Sequence, residues 1–154
     1  MQAYTAYFAS PIGYLKIEGT DDYVSSVSFS KTFENNPTYL PGCIKECISQ
    51  LSEYFREERR TFDVPLSPKG TEFQKEVWKK LQMIPHGTAA SYKTIADKIG
   101  KPKATRAVGN ANNKNPLAII VPCHRVIGSN GKLTGYAGGL WRKDWLLRHE
   151  QSAL

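Results

Sequence analysis

A chain of 154 residues with 40 % apolar residues can bury the core of one ordinary domain or of two small ones, which argues against a disordered chain. Lys and Arg number 21 against 14 Asp and Glu, and the net charge of +7 is compatible with a nucleic-acid partner without requiring one. The longest notable apolar run, residues 117–121, is too short to span a membrane, no secretory signal pattern opens the chain, and three cysteines cannot all pair, so we expect a cytoplasmic protein with reduced thiols.

The first third of the sequence predicts a β-meander followed by a helix. Residues 4–8, 14–17 and 23–29 are rich in aromatic and β-branched side chains, and turn-forming residues separate them. From about Cys43, apolar residues recur at helical spacing and predict one buried stripe, made of Ile44, Cys47, Ile48, Leu51 and Phe55. Two prolines within residues 64–70 then predict a linker. We therefore divide the chain into an N-terminal domain, residues 1–66, and a C-terminal domain, residues 67–154.

The C-terminal part of the sequence predicts mainly helices. Thr71 and Gln74 have the spacing of a capping box, and the buried face behind it is predicted to carry Phe73, Val77 and Leu81. Ser91 is expected to cap a helix over residues 92–99 that ends at Gly100, and further helices are expected near residues 104–112 and 143–150. The two short helices joined by a tight turn predict a helix-turn-helix.

The second helix of this pair has an unusual composition for a DNA reader. Residues 104–112 are mostly small, and only Arg106 has a long side chain, so few side chains could reach base edges in a major groove. A helix with small side chains can instead approach the minor groove, which is about 6 Å wide, closely. Arg106 would then be free to enter the base stack. The alternative is a solvated surface arginine, and the position of Arg106 alone does not decide between the two.

Cys123 and His124 form the sharpest local feature of the sequence. They follow Pro122 and a strand-like apolar run, and a cysteine thiolate is a strong nucleophile whose pKa falls near an imidazole. Adjacent side chains point in different directions, so a water bridge between them is expected, and Glu150 is the candidate partner of the imidazole. A buried structural cysteine beside a surface histidine is the plain alternative. The spacing does not fit a metal site, and a papain-like protease draws its Cys and His from distant segments.

Taken together, these segments resemble the O6-alkylguanine-DNA alkyltransferases. The resemblance rests on PCHRVI at 122–127 and on flanking blocks in the same order, namely GTEFQKEVW at 70–78, SYKTIA at 91–96, ATRAVGNANNKNP at 104–116, GYAGGL at 135–140 and KDWLLRHE at 143–150. It covers nearly all of residues 64–154. The N-terminal third is similar only in outline to the family's ribonuclease-H-like domain. The expected fold is therefore a mixed α/β protein of two small domains, with a winged-helix-like C-terminal domain.

The resemblance implies a role for each matching residue. Cys123 is the expected alkyl acceptor, His124 and Glu150 complete a relay through water, and Tyr92 donates a proton toward guanine N3. Arg106 is implied to replace the flipped base, and Asn115 to lie in a hinge. Further DNA contacts are implied for Ala104, Thr105, Asn110 and Ser129, and a base pocket for Val126, Tyr136, Ala137 and Gly138. Each molecule is expected to act once, as a monomer, on double-stranded DNA containing O6-alkylguanine.

Departures from the family pattern affect the pocket and the N-terminal domain. Ala137 stands where some relatives carry serine, which predicts altered preference with retained activity. Some relatives hold a structural zinc, but here Cys43 and Cys47 lack a histidine in the same region, so no metal or cofactor is expected. A DNA-binding protein that recognises lesions or regulates transcription without chemistry is the alternative function, and a cysteine hydrolase is a distant third. Cys123 favours the alkyltransferase over the non-catalytic members of the family.

Overall fold

The structure is a computed structural model that describes residues 1–152. The chain forms two compact units. Residues 1–69 and 116–120 make up the first unit, and residues 70–115 together with the chain from Val121 onward make up the second. The mixed α/β class that we predicted is confirmed.

The first unit is an antiparallel β-meander with one helix. Its elements are β1 (Tyr4–Ser10), β2 (Gly13–Gly19), β3 (Val24–Ser30) and α1 (Gly42–Phe55). Burial alternates along the central strand β2, where Leu15 and Ile17 are fully buried, and α1 packs on the sheet with Cys47 and Leu51 fully buried. The predicted stripe on α1 is partly shifted, because Gln50 and Tyr54 are buried whereas Ile48 and Phe55 are only half-buried.

Two segments of the first unit differ from the sequence prediction. The predicted linker pairs in part with β3, since the Val24 amide donates to the Pro65 carbonyl at 2.9 Å and Leu66 forms an isolated parallel bridge with Val24. The strand-like run at 117–121 is a series of turns, and Leu117 alone bridges Val27. Ile119 has a φ of 71°, which is incompatible with a strand, so this part of the prediction is wrong.

The second unit is mainly helical. Its elements are α2 (Glu72–Leu81), β4 (Ala90–Ser91), α3 (Tyr92–Lys98), α4 (Thr105–Asn113), a 3-10 helix (Cys123–Arg125), β5 (Val126–Ile127) and α5 (Leu140–Ser152). The helix pair α3–α4 encloses the predicted tight turn, with Gly100 at a φ of +75°. β4 and β5 pair in parallel, so a two-stranded ladder flanks the helix pair.

Local side-chain caps set the first residues of α2 and α3. The Thr71 hydroxyl accepts from the Gln74 amide at 3.1 Å and the Gln74 side chain accepts from the Thr71 amide at 2.9 Å, which confirms the capping box. The Ser91 hydroxyl accepts from the Thr94 amide at 3.0 Å and caps α3 as predicted. Phe73 is half-buried, and Trp78 is buried on α2 instead, where its indole donates to the Ala111 carbonyl of α4 at 2.9 Å.

Candidate active site

The short parallel β4–β5 ladder of the second unit is flanked by Tyr92 at one end and by the 3-10 helix of Cys123 at the other. Ala90 pairs with Val126 and Ser91 with Ile127, so the residue after β4 is Tyr92 and the three residues before β5 are Cys123 to Arg125. The Cys123 residue is 6 % exposed. Burial raises the pKa of its thiol, whereas a hydrogen bond from the Asn115 side chain and the charge of Lys143 lower it.

His124, Arg125 and Glu150 form a buried ionic cluster. His124 Nε2 lies 2.6 Å from Glu150 Oε2, and Arg125 Nη2 donates to the same oxygen at 3.0 Å. Arg125 Nε donates to Glu150 Oε1 at 2.8 Å and its Nη1 donates to the Ile84 carbonyl at 2.7 Å. The bonds from His124 and Arg125 to the carboxylate hold the pKa of Glu150 well below its usual range despite its burial.

The same cluster determines the state of His124. Burial lowers the pKa of the imidazole, and Arg125 and Lys143 lower it further against the opposing effect of Glu150. A neutral imidazole that donates from Nε2 to Glu150 leaves Nδ1 as an acceptor. Nδ1 is buried and has no hydrogen-bond partner among residues 1–152. It is therefore a proton acceptor that the protein itself does not satisfy.

Tyr92 contacts the loop that precedes α5. Its hydroxyl donates to the Thr134 carbonyl at 3.1 Å, and the Thr134 hydroxyl lies 3.2 Å from the Tyr92 oxygen. Lys143 donates to the same carbonyl at 2.6 Å, and its ammonium lies 5.9 Å from the centre of the Tyr92 ring. One backbone carbonyl thus holds both Tyr92 and Lys143.

An open groove of about 550 Å³ follows the face of α4. It is lined by Tyr92, Thr105, Arg106, Gly109, Asn110, Asn113, Thr134 and Gly135. Three residues predicted to contact DNA, Thr105, Arg106 and Asn110, therefore share this surface with Tyr92, and all three are exposed. Ala104 is half-buried at the start of α4, and Ser129 is exposed in the loop after β5; neither lines the groove.

The residues predicted for a base pocket lie outside this groove. Val126 is fully buried in β5, and the Tyr136 hydroxyl is buried with a pKa raised by burial and by the charge of Cys123. Ala137 is exposed, and the Gly138 carbonyl accepts from Arg142 at 2.8 Å. Of these four, Tyr136 interacts electrostatically with Cys123, and the Val126 amide donates to the Cys123 carbonyl.

Asn115 joins the two ends of the segment that leaves the second unit. Its side-chain amide donates to the Val121 carbonyl at 2.8 Å. This hydrogen bond joins the residues on either side of segment 116–120. The same side chain bonds to Cys123. These two contacts are compatible with the hinge role that the resemblance implied.

Comparison with known proteins identifies the family. Residues 72–152 match the model described as the 6-O-methylguanine DNA methyltransferase DNA binding domain, and residues 3–68 match the ribonuclease-like domain of the same family. The chain belongs to this methyltransferase family. A methylated-DNA–protein-cysteine methyltransferase of Methanosarcina acetivorans is 51 % identical over 97 % of this chain and 99 % of its own. A relative of that name from Mycobacterium tuberculosis is 50 % identical over 93 % of this chain and 89 % of its own.

Solved structures agree with this family assignment. The crystal structure of Mycobacterium tuberculosis O6-methylguanine methyltransferase has a TM-score of 0.89 at 46 % identity and covers 99 % of this chain and 95 % of its own. The same TM-score and identity hold for a Mycobacterium tuberculosis structure in complex with DNA, which covers 97 % of this chain and 94 % of its own. In residues 1–152, no helix is long and apolar enough to cross a membrane. Nor does that part of the chain group three metal-ligating side chains.

Sequence reasoning missed three residues of this candidate site, namely Arg125, Thr134 and Lys143. Arg125 lies inside the quoted PCHRVI block but carries no pattern that indicates burial. Lys143 offered a usable signal, because Lys143, Leu146 and Glu150 recur at i, i+3 and i+7 on α5 and are its three buried residues. A lysine in phase with a predicted active-site glutamate indicates that it faces the same interior.

Proposed function

We propose that this chain repairs DNA by transferring the alkyl group of O6-alkylguanine, mainly methyl, irreversibly to Cys123. The observation that carries the proposal is the buried His124, whose Nε2 bonds Glu150 at 2.6 Å while Nδ1 has no partner in the described part of the chain. Beside a buried cysteine, this neutral imidazole can receive the thiol proton through a water molecule. Family membership and the DNA-bound relative support the choice of substrate.

The proposed reaction is an in-line displacement at the alkyl carbon. Cys123 Sγ forms the new S–C bond, the O6–C bond breaks, and its electron pair remains on the guanine. Tyr92 donates a proton to the departing guanine while His124 takes up the thiol proton. Release of that proton from His124 to solvent and reprotonation of the Tyr92 phenolate complete the balance, so that overall the thiol hydrogen is exchanged for the alkyl group. The product is a thioether that no group in the site can hydrolyse, and each molecule therefore acts once.

The groove along α4 is the proposed DNA surface. Its small residues let the helix approach the minor groove, and Arg106 enters the stack in place of the extruded nucleotide. Thr105 and Asn110 line the same groove and are proposed phosphate or sugar contacts. Ala104 and Ser129 do not line it and are proposed as further DNA contacts. The extruded base is proposed to meet main-chain groups of residues 136–138 beside Val126.

The two sequence domains, 1–66 and 67–154, are proposed to divide the work, with DNA binding and alkyl acceptance in the second. We further propose that the protein acts as a monomer without cofactor in the cytoplasm. Its cysteines, Cys43, Cys47 and Cys123, are all free thiols. A reducing compartment preserves the acceptor in that state.

Intact mass spectrometry tests the proposed transfer. The protein is mixed with duplex DNA that contains one O6-methylguanine, and a gain of one methylene is expected, mapped to Cys123 and saturating at one per molecule. Cys123→Ser is expected to bind the same duplex and to gain nothing. An unchanged wild-type mass with tight lesion binding would identify a recognition protein and overturn the proposal.

A further inference from the structure

Lys143 is a buried cation without a carboxylate partner. Its residue is 0 % exposed, and its ammonium donates to the Thr134 carbonyl at 2.6 Å. No acidic side chain of residues 1–152 forms an ion pair with it. Burial lowers its pKa to about 8. Burial of an ammonium group without a counter-charge is unfavourable in free energy. A negative charge that forms close to Lys143 during function would explain why the lysine is buried there.

The neighbouring carboxylate is already neutralised. Glu150 receives two hydrogen bonds from Arg125 and one from His124, whose lowered pKa keeps it neutral. The Glu150–Arg125 pair therefore has no net charge, and Lys143 remains as the excess positive charge of the buried group. When Cys123 ionises, the thiolate balances that charge.

The groups that face Cys123 are consistent with this balance. Asn115 bonds the thiol, the Tyr136 phenol interacts with it electrostatically, and His124 follows it in the chain. Among the side chains that shift the pKa of Cys123, only Lys143 brings a positive charge. It lowers the pKa of Cys123, and Cys123 in turn raises the pKa of Lys143.

Lys143 also connects Cys123 to the proposed proton donor. The Thr134 carbonyl accepts from Lys143 and from the Tyr92 hydroxyl, at 2.6 and 3.1 Å. When Tyr92 turns its hydroxyl toward a substrate, Lys143 still satisfies this carbonyl. The loop then need not move for Tyr92 to change partner.

We propose that Lys143 is a positioning residue for alkyl transfer, which supplies the counter-charge of the Cys123 thiolate and fixes Thr134 beneath the Tyr92 hydroxyl. This inference rests on the proposed function. Its first half concerns the free protein, however, and can be tested without DNA.

Iodoacetamide alkylates the thiolate form of Cys123, and the alkylated peptide is quantified by mass spectrometry. The rate of alkylation at each pH therefore measures the fraction of Cys123 that is ionised. Lys143→Met keeps the length of the side chain and removes its charge. We expect this variant to react about tenfold more slowly at neutral pH and to reach its half-maximal rate at a higher pH. Lys79→Met removes an exposed charge from α2 and should leave both values unchanged. Cys43 provides an internal reference in every sample.

A second measurement needs no change at Lys143. The ¹³Cε resonance of Lys143 is titrated in the wild type and in Cys123→Ser, and the midpoint is expected to be lower in the serine variant because the thiolate is absent. The proposed counter-charge role is overturned if the titration midpoint of Lys143 is the same in the wild type and in Cys123→Ser. It is also overturned if Lys143→Met reacts with iodoacetamide with the pH profile of the wild type.

Single-turnover transfer tests the link to Tyr92. Tyr92→Phe is expected to slow the wild type more than it slows Lys143→Met, since the two residues act through one carbonyl. Independent, additive effects would refute the link. If the wild type transfers no methyl group, the proposed function fails. The iodoacetamide and NMR measurements still test whether Lys143 is the counter-charge of the Cys123 thiolate.

Discussion

Replacing Glu150 by glutamine should destabilise the second unit severely. Glu150 is 0 % exposed and accepts from His124 Nε2 and from two nitrogens of Arg125. A glutamine of the same size keeps one acceptor oxygen but presents an amide donor to the guanidinium. Arg125 would retain the Ile84 carbonyl as its remaining acceptor while it stays 5 % exposed.

The expected magnitude follows from this loss of a counter-charge. Removal of one member of a buried ion pair typically costs about 3–5 kcal/mol, because the other charge remains desolvated. That is a large share of the roughly 5–15 kcal/mol by which ordinary domains are stable. The matched control is Glu76→Gln, since Glu76 is exposed and lies 3.9 Å from the exposed Lys101. Such a surface pair contributes about 0–1 kcal/mol.

The pH dependence has a definite sign. The folded-state pKa of Glu150 lies below its ordinary value of 4.5, so the unfolded state takes up the proton first as the pH falls. The stabilisation is complete above about pH 4.5 and is lost as the pH falls further toward the folded-state pKa. Glu150→Gln lacks this group and should show a flatter acid limb between pH 5 and 3 than the wild type.

Tryptophan fluorescence makes the assay specific for the second unit. Trp78, Trp141 and Trp145 are the three tryptophans of the chain, and all belong to that unit. Guanidinium unfolding at pH 7 gives the free energy for the wild type and both variants. A loss below about 1 kcal/mol for Glu150→Gln, comparable with the Glu76 control, would refute the view that a buried carboxylate organises this site.

Three further substitutions test other parts of the molecule. Thr71→Ala removes the capping box of α2 and should lower the free energy of unfolding by about 1 kcal/mol in the same fluorescence assay. Gly135→Ala places a Cβ 2.9 Å from Asn113 Oδ1 at a residue with a φ of +48°. The neighbouring Thr134 is expected to shift, and the rate of single-turnover transfer should fall. An unchanged rate would count against a role for that loop. Arg106→Ala should reduce the slope of log affinity for undamaged duplex against log salt by about one, measured by fluorescence anisotropy, because the variant brings one positive charge fewer to the DNA and releases about one counterion fewer.

Much of the architecture was predictable because its signals are local. The aromatic and β-branched composition of the three N-terminal segments, the Thr71–Gln74 capping box and the Ser91 cap each depend on residues close in sequence, and the structure confirms the three strands and both caps. The resemblance to a known family gave the proposed acceptor and its relay residues. No local pattern, however, indicated that residues 116–120 belong to the first unit, because pairing with Val27 is a long-range property.

The ionic composition of the site was harder to predict for a physical reason. Arginine and lysine are usually surface residues, so their occurrence in a sequence predicts exposure unless a partner is known. Arg125 is buried because Glu150 and the Ile84 carbonyl satisfy it, and these partners come from α5 and from the chain after α2. Only the tertiary structure brings the three together. The prediction of Glu150 as a partner for His124 was therefore incomplete without Arg125.

The placement of Tyr92 and Cys123 illustrates why a short element can matter more than its length suggests. β4 and β5 have two residues each, too few to show any periodicity in the sequence. Their parallel pairing nevertheless fixes the start of α3, which carries Tyr92, relative to the 3-10 helix, which begins at Cys123 and precedes the other end of the ladder. Because the two side chains lie next to the same ladder, displacement of either strand alters both the proposed proton donor and the proposed acceptor. The ladder and the Lys143–Thr134 contact thus constrain Tyr92 from its backbone and from its hydroxyl, as the proposed donation of a proton to an extruded base requires.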